Sequence, residues 1–286
     1  MKTLHIAFLN VAFSPQYAHD SDAYSRLFQR AYELRTPIKL HGDTTGLIGG
    51  FRVDGEWGFG RFYKFLDLRI DDSWFDIVRH QEAEDRQLEQ IRIPPNLKPH
   101  LRVLDFVVSF SKHTLVFVTR EDSESLSPRL AKKLLAGVFS HQVIASSFGV
   151  INITIEPRKD ALARILAMPN LRELTIELTP PNPDDLVAAE QRLMRRMRAE
   201  NARKLLVEIT ANHDGLRPDA EHTQLAEIAQ KNGKVLGKGK NNDDRVVRLS
   251  TQDQPRVDTI VYDPDAQTSA DALAQKAYQA LIERQP

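Results

Sequence analysis

Hydrophobic positions along this chain switch repeatedly between a period near two and a period near 3.6. "LHIAFLNV" (4–11) is an apolar run of strand length. Over 20–35, Tyr24, Leu27, Phe28, Ala31 and Leu34 recur at helical spacing, with Asp20 or Ser21 placed to cap and Pro37 to end the element. Residues 38–70 are rich in glycine and aromatics, with turn signals at His41-Gly42-Asp43 and Asp54-Gly55, and predict an antiparallel meander of three or four strands. An acidic, helix-compatible stretch occupies 80–91, and "PPNLKPH" then requires extended or turning backbone. Two runs dense in Val, Phe and Leu flank Ser109 to His113 and predict a hairpin over 101–120. Residues 127–142 predict a helix with Pro128 in its first turn.

The segment 149–179 reads as strand, helix, strand: Val150, Ile151, Ile153 and Ile155 are β-branched, Leu162, Ile165 and Leu166 keep helical spacing, and Leu174, Ile176 and Leu178 alternate. A parallel βαβ crossover and an α+β arrangement both satisfy that pattern. Three prolines in "TPPNPDD" (179–185) mark a linker, with Asp184 and Asp185 placed to cap the next helix. Then come that helix (about 185–204), a strand (205–210), a turn (213–218), a short helix around "HTQLAEIAQ", a basic stretch, a strand (257–263) and a final helix (269–283). No repeat of solenoid period is present. Helices and strands intermingle, which predicts an α+β class with mixed or antiparallel sheets in two lobes, 1–179 and 180–286.

Composition narrows the class. At 286 residues, 41% hydrophobic and 27% charged, the chain can bury a sizeable core and is too apolar for general disorder. Lysine plus arginine equals aspartate plus glutamate at 39 each, so a polyanionic partner would need a local patch. The absence of cysteine removes disulfides, thiolate metal sites and a cysteine nucleophile, and fits a reducing cytoplasm. His5 and Asn10 interrupt the first apolar run and favour a buried strand over a secretion signal. No apolar run approaches the roughly 18 residues of a membrane span, so a cytoplasmic protein without a membrane partner is expected.

"NGKVLGKGKNNDDRVVRLST" (232–251) invites a phosphate-loop reading, which its spacing refuses. Only three residues separate Gly233 from Gly237-Lys238, Gly239 stands where Ser or Thr belongs, and the third glycine of a dinucleotide fingerprint is Asn242. A basic hairpin survives as the alternative. Between 231 and 248 six bases (Lys231, Lys234, Lys238, Lys240, Arg245, Arg248) face two acids, around a turn at Asn241 to Asp244. A solvated hairpin tip has the same composition, and no aromatic is interleaved to stack a base. The helix near 190–204 repeats the bias, six bases to two acids, with Arg192, Arg195, Arg196 and Arg203 away from the Leu186, Leu193, Met197 stripe.

"WGFGRFYKF" (57–65) shares part of an RNA-binding strand pattern, but Trp57, Arg61 and Lys64 stand at its defining positions. Alternation instead places Trp57, Phe59, Arg61, Tyr63 and Phe65 on one face and Phe62 on the other, as a hydrophobic sheet requires. The His19-Asp20 and His213-Asp214 pairs lack further histidines at ligand spacing, and His41 with Asp43 fits turn chemistry. His100, His113 and His141 are isolated, and no Gly-x-Ser-x-Gly, His-Glu-x-x-His or EF-hand pattern occurs. The sequence thus names no catalytic residue, no metal and no cofactor.

Through "IKLHGDTTGLIGGF", "LKPHLRVLDFVVSFSKHTLVFVT", "SPRLAKKLLAGVFS", "FGVINITIEPRKDALARILAMPNLRELTIELTPPNPDDL", "ENARK" and "EIAQKNGKVLGKGKNNDDRVVRLSTQDQP", the chain resembles the uncharacterised bacterial domain-of-unknown-function family 4747. The resemblance runs in order through most of the chain and implies one evolutionary unit, with no catalytic residues to carry over. It also implies a role in conflict with phages or plasmids. The expected function is therefore an anti-phage defence or mobile-element protein that binds DNA or RNA through its basic C-terminal lobe. A metal-dependent nuclease with a dispersed site is one alternative. A non-catalytic defence subunit that docks an acidic protein partner is the other.

Overall fold

A computed structural model describes residues 1–14, 20–68, 72–180, 188–241 and 243–282. The elements follow the chain as β1 (Lys2–Phe13), α1 (Ser21–Glu33), β2 (Ile38–His41), β3 (Thr44–Asp54), β4 (Trp57–Leu66), β5 (Phe75–Asp76), β6 (Gln81–Glu82), α2 (Asp85–Leu88), β7 (Arg102–Ser109) and β8 (Thr114–Glu121). Then come β9 (Glu124–Ser125), α3 (Pro128–Phe139), α4 (Gln142–Phe148), β10 (Ile151–Ile155), α5 (Ala161–Leu166) and β11 (Asn170–Leu178). The rest is α6 (Ala188–Ala199), β12 (Leu205–Thr210), α7 (Ala220–Lys231), β13 (Gly233–Lys240), β14 (Val246–Ser250), β15 (Val257–Tyr262) and α8 (Ser269–Ile282).

The described strands make a nine-stranded sheet, seven of them ordered β10-β1-β8-β7-β4-β3-β2 with β15 also on β1 and β9 on β8, a four-stranded sheet ordered β12-β11-β13-β14, and the small β5-β6 pair. All these pairings are antiparallel, so the class is α+β, as the intermingled pattern predicts. β10 and β11 lie in different sheets, which excludes the parallel crossover between them. Strand β1 is long enough to be shared on one side. β15 pairs with its Lys2–Ala7 half, and β10 with its Leu9–Phe13 half.

Local chemistry sets the helix starts. Asp20 accepts from the Ala23 amide at 2.7 Å to begin α1, whose Tyr24, Leu27, Phe28 and Ala31 are buried as their spacing predicts. Ser127 and Pro128 open α3, and Asp219 caps α7. The acidic stretch 80–91 forms only the short helix α2 beside the β5–β6 pair. With no buried residue in α2, nothing apolar extends it. Of the expected linker 179–185 only Thr179 and Pro180 are described, and the Asp184-Asp185 cap, Leu186 and His19 lie outside the described residues.

Two hydrophobic cores result. In the first, Phe28 of α1 and Phe139 of α3 pack with Phe62 and Phe106 on one face of the large sheet. α8 covers the opposite face, where Tyr278 meets Trp57 at 4.4 Å between ring centroids. Each fully buried phenylalanine of this core contributes about 1.5–3 kcal/mol. The second core gathers Leu162 and Ile165 (α5), Leu174, Ile176 and Leu178 (β11), Leu193 and Met197 (α6), Ala226, Ile228 and Ala229 (α7) and Val235 (β13). The chain leaves the first core after β10 and re-enters it at β15 through a neck of two antiparallel segments. There the Arg158 amide donates to the Gln254 carbonyl and the Arg256 amide to the Glu156 carbonyl.

One buried group gives the first core a titration signature. The Tyr262 hydroxyl donates to Glu121 Oε1 at 2.7 Å, and burial together with that carboxylate pushes the phenol up to about 12 from 10.0. Between those values the unfolded chain loses the proton that the folded chain keeps, so stability falls as pH rises. Thermal unfolding from pH 9 to 12 is expected to show a loss of about 2 kcal/mol in the native protein that Tyr262→Phe removes. Parallel profiles for the two proteins would refute this assignment.

Candidate nucleic-acid interface

Strand β13 explains why glycine and lysine alternate there. Its odd positions, Gly233, Val235, Gly237 and Gly239, face the second core and are buried. A Cβ on Gly239 would lie 2.4 Å from the Asn170 carbonyl oxygen, so the β11 backbone itself excludes a side chain. Lys234, Lys238 and Lys240 point to the other face of the sheet. The turn expected at 241–244 forms around Asn241, whose Oδ1 accepts from the amides of Asp243 and Arg245, with Asp244 at φ 61°. The hairpin is therefore real, and its glycines are a close-packed sheet floor rather than a phosphate loop.

Its lysines are partnered. The register sets Glu177 opposite Lys234 and Glu173 opposite Lys238. Glu177 Oε2 takes both Lys234 at 3.2 Å and Lys204 at 2.9 Å, Glu173 takes Lys238 at 2.6 Å, and Asp244 takes Lys240 at 2.8 Å. Burial opposes ionisation of Glu177, but the hydrogen-bonded Lys204 and Lys234 ammoniums outweigh it and hold the carboxyl below its ordinary value. Lys231 ends α7, and its carbonyl accepts from Asn10 of β1. Arg245 and Arg248 are exposed and have no ion pair among the described residues.

On α6, Leu193 and Met197 enter the second core while Arg192, Arg195, Arg196 and Arg198 are exposed. Arg196 is held by Glu200 at 3.1 Å, and Arg192 and Arg195 have no ion pair among the described residues. Because α6 packs on the glycine face of the sheet, its arginines and the β13 lysines lie on opposite sides of this layer. The two basic stretches do not merge. Lys204, next to the arginines in sequence, instead reaches Glu177.

Elsewhere the aromatic strand is mostly occupied by packing. Trp57 is covered by Tyr278, Arg52 lies 4.2 Å over Phe59, and Arg61 pairs with Asp105 at 3.1 Å. Arg52, Arg61, Tyr63 and Asp105 line a cavity of about 490 Å³ beside α8, and a second of about 610 Å³ lies along α1 and α4. His113 is buried with its ring 4.4 Å from that of Tyr24, and His222 turns back on Asp219 at 2.8 Å. Among the described residues no three His, Asp or Glu side chains gather to hold a metal ion. None of their helices is long and apolar enough to cross a membrane.

The sequence reading missed Glu173, Glu177 and Lys204. The four-residue spacing of Glu173 and Glu177 matches that of Lys234 and Lys238, which becomes a signal only once β11 is paired with β13.

Fold and surface together define an α+β protein of two cores, with lysines held by carboxylates across one sheet face and an arginine-bearing helix. The chain belongs to the domain-of-unknown-function family DUF4747, whose family model matches residues 2–278 and so includes the second core and nearly all of the first. No curated protein matches it.

Proposed function

We propose that this chain is a polyanion-binding protein, for DNA or RNA foremost, that contacts phosphates through the exposed arginines of the second core. What carries the reading is the contrast between α6 and β13. Arg192 and Arg195 are exposed with no ion pair among the described residues, whereas Lys234, Lys238 and Lys240 each hold a carboxylate. An arginine already placed in solvent meets a phosphate without first giving up a partner, and bidentate geometry suits it to that task. This moves the expected contact from the hairpin strands toward α6, with Arg245 and Arg248 as second contributors. A cytoplasmic location and a role against phages or plasmids belong to the same proposal. The latter rests on the family resemblance, and comparing phage plating on cells with and without the gene tests it.

Binding of labelled single- and double-stranded oligonucleotides, read by fluorescence anisotropy at 50 and 200 mM salt, tests the contact directly. Affinity is expected to fall steeply with salt, and Arg192→Glu with Arg195→Glu to flatten the log–log slope by about two while weakening binding at least about tenfold at low salt. Lys238→Gln is expected to leave it nearly unchanged. Absence of binding at 50 mM salt sinks the reading. Cleavage of the oligonucleotide with magnesium or manganese would instead establish the nuclease alternative.

A further inference from the structure

Between the two cores, one carboxylate is surrounded by more positive charge than it can neutralise. Lys204 and Lys234 both bond Oε2 of Glu177, so their ammonium nitrogens are within about 6 Å of each other. Lys132 reaches in from α3 of the first core. Its Nζ donates to Gln252 Oε1 at 3.3 Å, and Gln252 Nε2 donates in turn to the carbonyl of Gly233, the residue before Lys234. Burial, and then the Lys234 charge, hold the Lys132 ammonium below its ordinary pKa, with Glu177 only partly offsetting them. The nearby Asp253 adds little negative charge, because Arg129 holds it. Three ammoniums against one carboxylate leave a surplus of two positive charges.

The cluster is open on one side. The Lys204 and Lys234 side chains are 45% and 38% exposed, while Lys132 is partly buried. Two ammoniums sharing an oxygen have the separation at which two oxygens of one phosphate accept from two donors. A half-desolvated site also strengthens each charge interaction beyond its value in water. We propose that Lys132, Lys204 and Lys234 form a phosphate-binding site between the two cores. Glu177 positions two of the lysines and moderates the site's affinity. A phosphate bound here contacts α3 of one core and β13 of the other, and so ties the cores together.

The phosphate comes from a nucleic-acid backbone or from a free phosphate compound, and only the first source rests on the polyanion reading. Calorimetric titration of the full chain with inorganic pyrophosphate at low ionic strength tests the site itself. Lys132→Gln and Lys234→Gln are each expected to weaken binding about tenfold, and Glu177→Gln to tighten it several-fold. Lysines that serve only as structural partners of Glu177 predict the opposite sign for Glu177→Gln, because its loss would disorder them. A repeat with an oligonucleotide separates the sources. Weakening of both ligands by Lys234→Gln assigns the site to the nucleic-acid backbone. Weakening of pyrophosphate alone supports the site and assigns it to a free phosphate compound. Pyrophosphate binding that is absent, or indifferent to all three variants, overturns the proposal whether or not the α6 arginines bind nucleic acid.

Discussion

Alanine at position 233 is expected to destabilise the protein by about 3 kcal/mol, at the upper end of the usual cost of overpacking. A Cβ there would lie 2.0 Å from the Glu177 carbonyl oxygen and 2.9 Å from its carbon, so the obstruction is backbone that no rotamer change can clear. Gly237 is obstructed differently, at 2.6 Å from Ile165 Cγ2 of α5, where a small helix shift relieves part of the contact. Gly50 is the control, since a Cβ there meets nothing within 4 Å. Gly50→Ala is expected to be neutral, or stabilising by up to about 0.5 kcal/mol through a less flexible unfolded chain. Urea unfolding should therefore rank 233 as most harmful, 237 next and 50 harmless, with the denaturant slope unchanged. Equal midpoints for Gly233→Ala and Gly50→Ala would show that β11 and β13 do not approach so closely.

That ranking shows what the amino-acid pattern could and could not disclose. The burial of Tyr24, Leu27, Phe28 and Ala31, the 101–120 hairpin and the Asn241 turn were legible because each depends on neighbours in sequence. Sheet membership was not, because strand partners are chosen across the whole chain. Nothing within "VDTIVYD" says that β15 joins the first half of β1, some 250 residues earlier. Nothing within 149–179 says that β10 and β11 part into separate sheets. The candidate site obeys the same rule. The basic residues were legible as composition, but charge becomes surface only after pairing. Glu173 and Glu177 occupy the Lys238 and Lys234 ammoniums because register brings them opposite. The α6 arginines are exposed because Leu193 and Met197 take the other side of their helix into the core.

Replacement of Arg256 by methionine is expected to cost about 2–3 kcal/mol, below the range for a fully buried pair because the group is part-exposed. Arg256 stands where the chain returns through the neck. Its guanidinium bonds Glu156 at 3.1 Å and Asp258 at 2.7 Å and lies 4.0 Å over the Phe8 ring, with its side chain 21% exposed. Methionine keeps much of the contact with Phe8 but leaves two part-buried carboxylates, one from each strand of the neck, without the cation between them. The loss should therefore come mainly from charge, and a second substitution can show this. Glu156→Gln alone removes one partner of a working pair and should destabilise. In the Arg256→Met background it removes a repulsion instead, so the two effects should couple by about 1–2 kcal/mol in a double-mutant cycle. Additive losses would mean that the arginine acts by packing on Phe8 alone. With coupling of the expected size, the neck that carries the chain between the cores is held by an ion triad.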